Sequence, residues 1–185
     1  MTRFRSARLD LLRVAIVVAA TGLPFAASAQ SILSVAGGGT DDGRLATEVR
    51  LGEAFGLVRM PDGALVLSEM AAHRIRRVDP ATCRISTLAG NGIGTFAGDG
   101  GPAPAASFSN PTALLLHDGG LLVADAGNGR VRRVDLVTLE VSTWAGGGDA
   151  PGDGGPARSA RFSCPVGLAR TSGGIPQPPS STSAT

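Results

Sequence analysis

The residues of this chain with the most chemical reach are two histidines, two cysteines, a few serines on strand-like segments, and aspartates set among glycines. His73 and His117 are the only histidines, and neither has a second histidine or a cysteine at ligand spacing. A zinc site needs three or four such ligands brought together. Cys83 follows the turn-like Asp79-Pro80 and Cys164 precedes a proline, so nothing makes them neighbours, and two unpaired thiols are expected. The GDGG segments around Asp99 and Asp153 carry one acid each, whereas calcium needs six to eight oxygen ligands, so they are expected to be structural turns. Ser34, Ser86 and Ser142 sit on equivalent strands with no base in view, and a hydroxyl nucleophile needs one. The pattern predicts no catalytic residue, no metal site and no cofactor.

Arginine is the other candidate chemistry. All 17 basic residues are Arg, set against 15 acids, and the calculated pI is about 9.0. Arg74, Arg76 and Arg77, and again Arg130, Arg132 and Arg133, could form a basic stripe for a polyanion. Each cluster is followed by an acid, Asp79 or Asp135, so the expectation is a solvated sheet face.

Much of the basicity belongs to the first 29 residues. Arg3, Arg5, Arg8 and Arg13 precede an apolar run centred on Val14 to Ala20, and Ala27-Ser28-Ala29 is a small-x-small site before Gln30. This is the pattern of a cleaved secretory signal peptide. Arg13 and Pro24 interrupt the run, so stable membrane insertion after cleavage is not expected. Removal of four arginines and Asp10 leaves 13 basic residues against 14 acids, a mature charge of −1. That balance excludes a nucleic-acid footprint, and the leader implies a secreted or periplasmic product.

These side chains must be positioned by a repeat. The segment Arg74 to Asp79 (RIRRVD) recurs at Arg130 to Asp135, 56 positions later, and a period of this length is the mark of a repeat architecture. ILSVAGGG, ISTLAGNG and VSTWAGGG open three copies, giving units of about 32–84, 85–140 and 141–169. In the central copy Ile85 to Ala89 reads as a strand ended by Gly90-Asn91-Gly92, and Gly98 to Ala106 (GDGGPAPAA) cannot be one. Thr112 to Leu116 is a short continuous apolar run consistent with a strand buried on both faces. Leu121 to Asp125, Arg130 to Asp135 and Val141 to Ala145 complete four strands, with Gly127-Asn128-Gly129 as a tight turn where positive φ is expected. Ile75 and Val78 are three apart, as are Val131 and Val134, which predicts a bulge or a change of buried face. The first copy has Glu69 and Ala72 in place of Asp125 and Asn128, and Asp41-Asp42-Gly43 in place of GDGGPA, as if it had drifted.

Taken in order, TLAGNG, GDGGPA, FSNPTALLL, DGGLLVADAGNGRVRRVD and VSTWAGG resemble the NHL repeat of bacterial and teneurin-like β-propellers, over essentially Ile32 to Ala169. The resemblance implies an all-β fold of radially arranged four-stranded blades, with the strand at Thr112 to Leu116 innermost, about two blades complete, and turns shaped by Asp125 and Asn128. Residues 30–170 would form this partial propeller, and the Pro/Ser/Thr-rich 171–185 a disordered tail.

On this reading the protein is an exported, non-catalytic module that binds a protein or a glycan and no nucleic acid. A propeller enzyme of the lactonase or lyase kind is an alternative, for which clustered acids near strand starts would be the sign. A truncated fragment without independent function is another. Edge strands invite pairing, so a head-to-tail homodimer is also expected, Ile32 to Ala36 of one copy completing the blade begun by Val166 to Ala169 of the next.

Overall fold

A computed structural model describes residues 42–149 and 154–170. The leader, the segment at Ile32 to Ala36, Ser34, Asp153 and the tail lie outside the described residues.

The alternating segments form two antiparallel four-stranded meanders. The first sheet contains β1 (Ala54–Arg59), β2 (Leu65–Glu69), β3 (Arg74–Val78) and β4 (Ile85–Ala89), paired in that order. The second contains β5 (Pro111–His117), β6 (Gly120–Asp125), β7 (Arg130–Asp135) and β8 (Val141–Gly146). A repeat unit read from the sequence thus opens on the outer strand of one sheet, and its other strands belong to the next. This is a partial, propeller-like all-β fold, and each sheet is a blade.

Turn chemistry sets the meander. Asp79 accepts the amides of Ala81 and Thr82 at 3.0 and 2.9 Å and closes the β3–β4 hairpin, and Asp135 accepts those of Val137 and Thr138 at 2.9 and 3.0 Å in the β7–β8 hairpin. Such side-chain turns are the reason aspartate recurs at hairpin starts. These bonds and the neighbouring Arg77 and Arg133 hold both carboxyls below their ordinary range.

The expected irregularity is present. The register slips between Ile75 and Arg76 against β4 and between Val131 and Arg132 against β8, a bulge at one repeat position in both blades. Residues 75 and 78 also face opposite ways. Ile75 packs into the core between the blades with Val66, Leu121, Val123, Val134 and Phe108, whereas Val78 joins Leu67, Ile85, Ala46 and Val49 on the far face of the first blade. Leu122, Val131 and Ala145 make a third layer beyond the second blade, covered by Phe162 and Leu168.

One strand expectation is corrected. Leu114, Leu115 and Leu116 on β5 are half-buried, and the strand buried throughout is β6. β5 has a partner along one edge only, whereas β6 is flanked by β5 and β7 and covered by apolar layers on both faces. The positive φ expected in the turn after β6 falls on its last glycine. Ala126–Asn128 is a single 3₁₀ turn, and the left-handed residue is Gly129, with φ of 60°. Val166 to Ala169, expected as the inner strand of a third blade, lie outside any sheet.

Candidate functional site

The linkers that precede the blades carry the charged residues that matter. Asp99, in the linker before the second blade, reaches Arg132 on β7. Its Oδ1 accepts from Nη2 at 2.6 Å and from Nε at 3.1 Å, and its Oδ2 accepts the amide and hydroxyl of Thr143 on β8 at 3.1 and 2.5 Å. Arg132 is completely buried. Its remaining donors go to the carbonyls of Ser107 and Ala97 at 2.8 and 3.1 Å, and the Phe108 ring lies 4.8 Å from its guanidinium. Arginine suits such a place because its flat fork holds several acceptors at once while its face stacks on a ring. Burial pushes the Asp99 carboxyl up, but the Thr143 and Arg132 bonds outweigh it and hold the group below its ordinary value.

The first blade repeats this arrangement. Asp42 takes Arg76 Nη2 at 2.6 Å and the amide and hydroxyl of Thr87 at 3.0 and 3.1 Å. Glu69 takes Arg76 Nη1 at 2.8 Å and the Gly52 amide at 2.7 Å. In the second blade Asp125 takes the equivalent Ser109 amide at 2.7 Å and Asn128 Nδ2 at 2.8 Å, and lies 4.0 Å from Arg132. Burial pushes the Asp125 carboxyl up, against the lowering effect of Asn128 and Ser109. At this position the first copy keeps the role with another residue: Glu69, one methylene longer, makes directly the arginine contact that Asp125 approaches. The expectation of wholly solvated arginine clusters is likewise corrected, because Arg76 and Arg132 are buried on two and zero per cent exposure. Arg77 and Arg133 meet that expectation better, half-buried and paired with Asp62 and Asp135 at 2.8 Å.

The other sequence candidates are dispersed. His73 sits in the β2–β3 turn with φ of 56°, at the Gly129 position, and its Nδ1 accepts the Asn110 amide at 3.1 Å from the next linker. It is half-buried and links the first blade's turn to the linker before the second, which corrects a purely solvated turn role. His117 lies edge-on to Trp144, centroids 5.5 Å apart, with Nε2 3.2 Å from Asp118. Ser86 is exposed and Ser142 half-buried. Cys83 and Cys164 are both exposed and free. Among the described residues no three histidine, cysteine or carboxylate side chains gather into a metal-holding group.

Sequence reasoning missed one feature. A cleft of about 280 Å³ opens on the first blade between the incoming linker and the β2–β3 turn, lined by Arg50, Leu51, Ala72, Arg74, Arg76 and Glu69 among others. The signal was present in substitutions between copies, Ala72 for Asn128 and Leu51 for Phe108, which remove bulk.

Comparison with known proteins gives fold more than function. No family model matches the chain. It is 36% identical over 99 residues to the Arabidopsis thaliana protein SUPPRESSOR OF QUENCHING 1, chloroplastic, a stretch that is 53% of this chain and 9% of that protein. The chain therefore spans about a tenth of the length of this curated relative. Among solved structures it is similar to a Bacteroides thetaiotaomicron protein of unknown function, with a TM-score of 0.51 and 22% identity over 60% of this chain and 28% of that one. It is also similar to an auxiliary nutrient binding protein of Bacteroides ovatus, with a TM-score of 0.55 and 18% identity over 67% of this chain and 33% of that one. At these identities the likeness is one of fold. Among the described residues no helix is long and apolar enough to cross a membrane.

Proposed function

We propose that the chain is an exported, non-catalytic propeller module of the NHL type that binds a protein or a glycan. One observation carries this reading: the carboxylates where linker meets blade are committed to structural partners. Asp42, Glu69, Asp99 and Asp125 are each bound to a buried arginine, a linker amide or a strand threonine, so their chemistry is spent on joining linker to blade. General acids, bases and nucleophiles must instead face a substrate. The repeat order supports the NHL assignment, and the name of the Bacteroides ovatus neighbour, a nutrient binding protein, is in keeping with a binding role.

Two measurements test this. N-terminal sequencing of the product exported by the native secretion route should begin at Gln30, and an intact precursor in the membrane fraction would refute export. The full mature chain should bind members of a glycan or peptide array without turning over lactones, esters or amidated peptides. Turnover that survives purification and disappears on Asp99→Asn or His73→Gln would establish the lactonase or lyase alternative instead.

A further inference from the structure

The two blades share strand order and linker latches, but around the β2–β3 turn the first blade has a cleft. In the second blade the Phe96 ring covers Arg130 at 3.9 Å and Arg132 at 5.1 Å, Phe108 packs on Arg132, and Asn128 ties Asp125 to the Thr95 carbonyl at 3.0 Å. In the first blade Leu51 replaces Phe108 and Ala72 replaces Asn128. From Ala36 to Asp42 is 6 positions and from Ala89 to Asp99 is 10, so the first linker is four residues shorter where the second carries Phe96. The cleft of about 280 Å³ lies at this place. Arg50, at the position of Ser107, adds a third guanidinium to those of Arg74 and Arg76.

The electrostatics of the cleft are unbalanced. Arg76 is satisfied by Glu69 and Asp42 on its two Nη atoms, but its buried Nε has no hydrogen-bond partner among the described residues, whereas the equivalent Nε of Arg132 donates to Asp99. An orphaned donor on a buried charged group is costly, so the arginine at the cleft floor is less fully satisfied than its counterpart. Arg50 and Arg74 have no carboxylate partner among the described residues. Three arginines against Glu69 and Asp42 leave one positive charge at the cleft. A guanidinium fork matches a carboxylate in geometry and charge. Ligand pockets run from roughly 300 to 1,000 Å³, so this cleft is at the small end and suits a molecule of monosaccharide size.

We propose that the cleft on the first blade binds a carboxylate-bearing sugar, a uronic acid, through Arg50 and Arg74. The proposal rests on the binding-module reading and gives it a site and a ligand class. A free uronate and the uronate end of an acidic polysaccharide share this chemistry.

The test uses the full mature chain, with glucuronate, an oligoglucuronate, glucose and inorganic phosphate as probes, read by calorimetry and by amide chemical shifts. Glucuronate should bind, glucose should not, and shifts should centre on Gly52, Ala71, Ala72 and Arg74. Tighter binding of the oligomer identifies a polysaccharide end as the ligand, and equal binding identifies the free sugar. Arg50→Gln with Arg74→Gln should weaken glucuronate at least tenfold. Leu51→Phe with Ala72→Asn, which restores the side chains of the second blade, should do the same. Phosphate binding as tightly as glucuronate, glucose binding equally, or shifts centred elsewhere would overturn the proposal. Array binding that persists in both double variants would also overturn it while leaving the module reading intact, and the shift map keeps the test decisive if a variant fails to fold.

Discussion

Asp99 and Arg132 meet at 2.6 Å across 33 residues of chain, and the same carboxylate holds Thr143 of the outer strand at 2.5 Å. One side chain thus ties a linker to two strands of the blade that follows it. Asp42 does so in the first blade through Arg76 and Thr87. The linker also bonds along the outer strand's edge through backbone groups, with Gly100 and Val141 at 2.7 Å and Gly43 and Ile85 at 2.8 Å. Edges left bare recruit other chains, so the latch also guards the outer strands.

Cutting this latch should be expensive. Asp99→Ala leaves a buried guanidinium with two carbonyl acceptors and only Asp125, 4.0 Å away, as counter-charge, and breaking a buried pair from one side costs about 3 to 5 kcal/mol. Asp99 is a third exposed, so a loss near 3 kcal/mol is expected from urea unfolding. Asp99→Ala with Arg132→Met should recover part of it, because the stranded charge is gone. A single variant as stable as wild type would remove the latch from the account.

The blades were legible in the sequence where period and turn residues carry the signal. RIRRVD returned as RVRRVD 56 positions later, and Asp-Gly and Gly-Asn-Gly punctuated alternating segments, so the strands from β4 to β8 could be placed. What was not legible is which arginine goes inside. Arg76 and Arg77 are adjacent and identical in type, and their fates differ because Asp42 lies 34 positions upstream in a linker with no regular pattern. The strand burial was misread for a similar reason. Three leucines in a row on β5 suggest a doubly covered strand, but β6 has neighbours on both edges and β5 does not. The cleft was legible only by difference, as small residues in one copy against large ones in the other.

Acid should unfold the protein through its aspartates. Asp62, Asp79, Asp99 and Asp135 all have carboxyls held below the ordinary 3.8. A depressed carboxyl stabilises the fold above its unfolded value, and that contribution is lost as the pH falls through the folded value. Asp125, raised by burial, works the other way: its contribution is present below 3.8 and fades as the pH rises through its folded value. Four against one, the urea midpoint should fall as pH drops below about 4. Asp99→Asn should make that fall shallower. A midpoint unchanged from pH 5 to pH 3 would contradict the assignment of these carboxylates.

Gly129 should tolerate no side chain, and Gly119 should tolerate one. Both have positive φ, 60° and 69°. A Cβ on Gly119 meets nothing within 4 Å, so Gly119→Ala should cost only the backbone strain, about 1 kcal/mol. A Cβ on Gly129 would overlap the carbonyl oxygen of Phe162, the ring that covers the second blade. Gly129→Ala should therefore lose roughly 1 to 3 kcal/mol more through overpacking. Thermal melts of the two variants decide this, and equal costs would mean that the Phe162 segment does not rest on the turn.

The seam between the blades should depend on Gly56 and Ser68. Ser68 Oγ accepts the Gly56 amide at 2.7 Å and donates to the Thr112 carbonyl at 2.5 Å, joining β1 of the first blade to β5 of the second. Ser68 is fully buried, so Ser68→Ala strands a backbone donor and acceptor at a cost of about 1 to 3 kcal/mol. Alanine itself is no problem for the sheet, since Ala124 stands at the same position of β6 and is fully buried. A Cβ on Gly56 would overlap the Thr112 oxygen, so Gly56→Val should push the inner strands apart and lose more than Ser68→Ala. The reading also predicts where the damage appears. Hydrogen exchange should quicken first at β1 and β5, while the β6–β7 ladder stays protected, because the defect opens a seam and leaves the sheet intact. Uniform loss of protection across both blades would show instead that they unfold as one unit and that the seam has no weakness of its own.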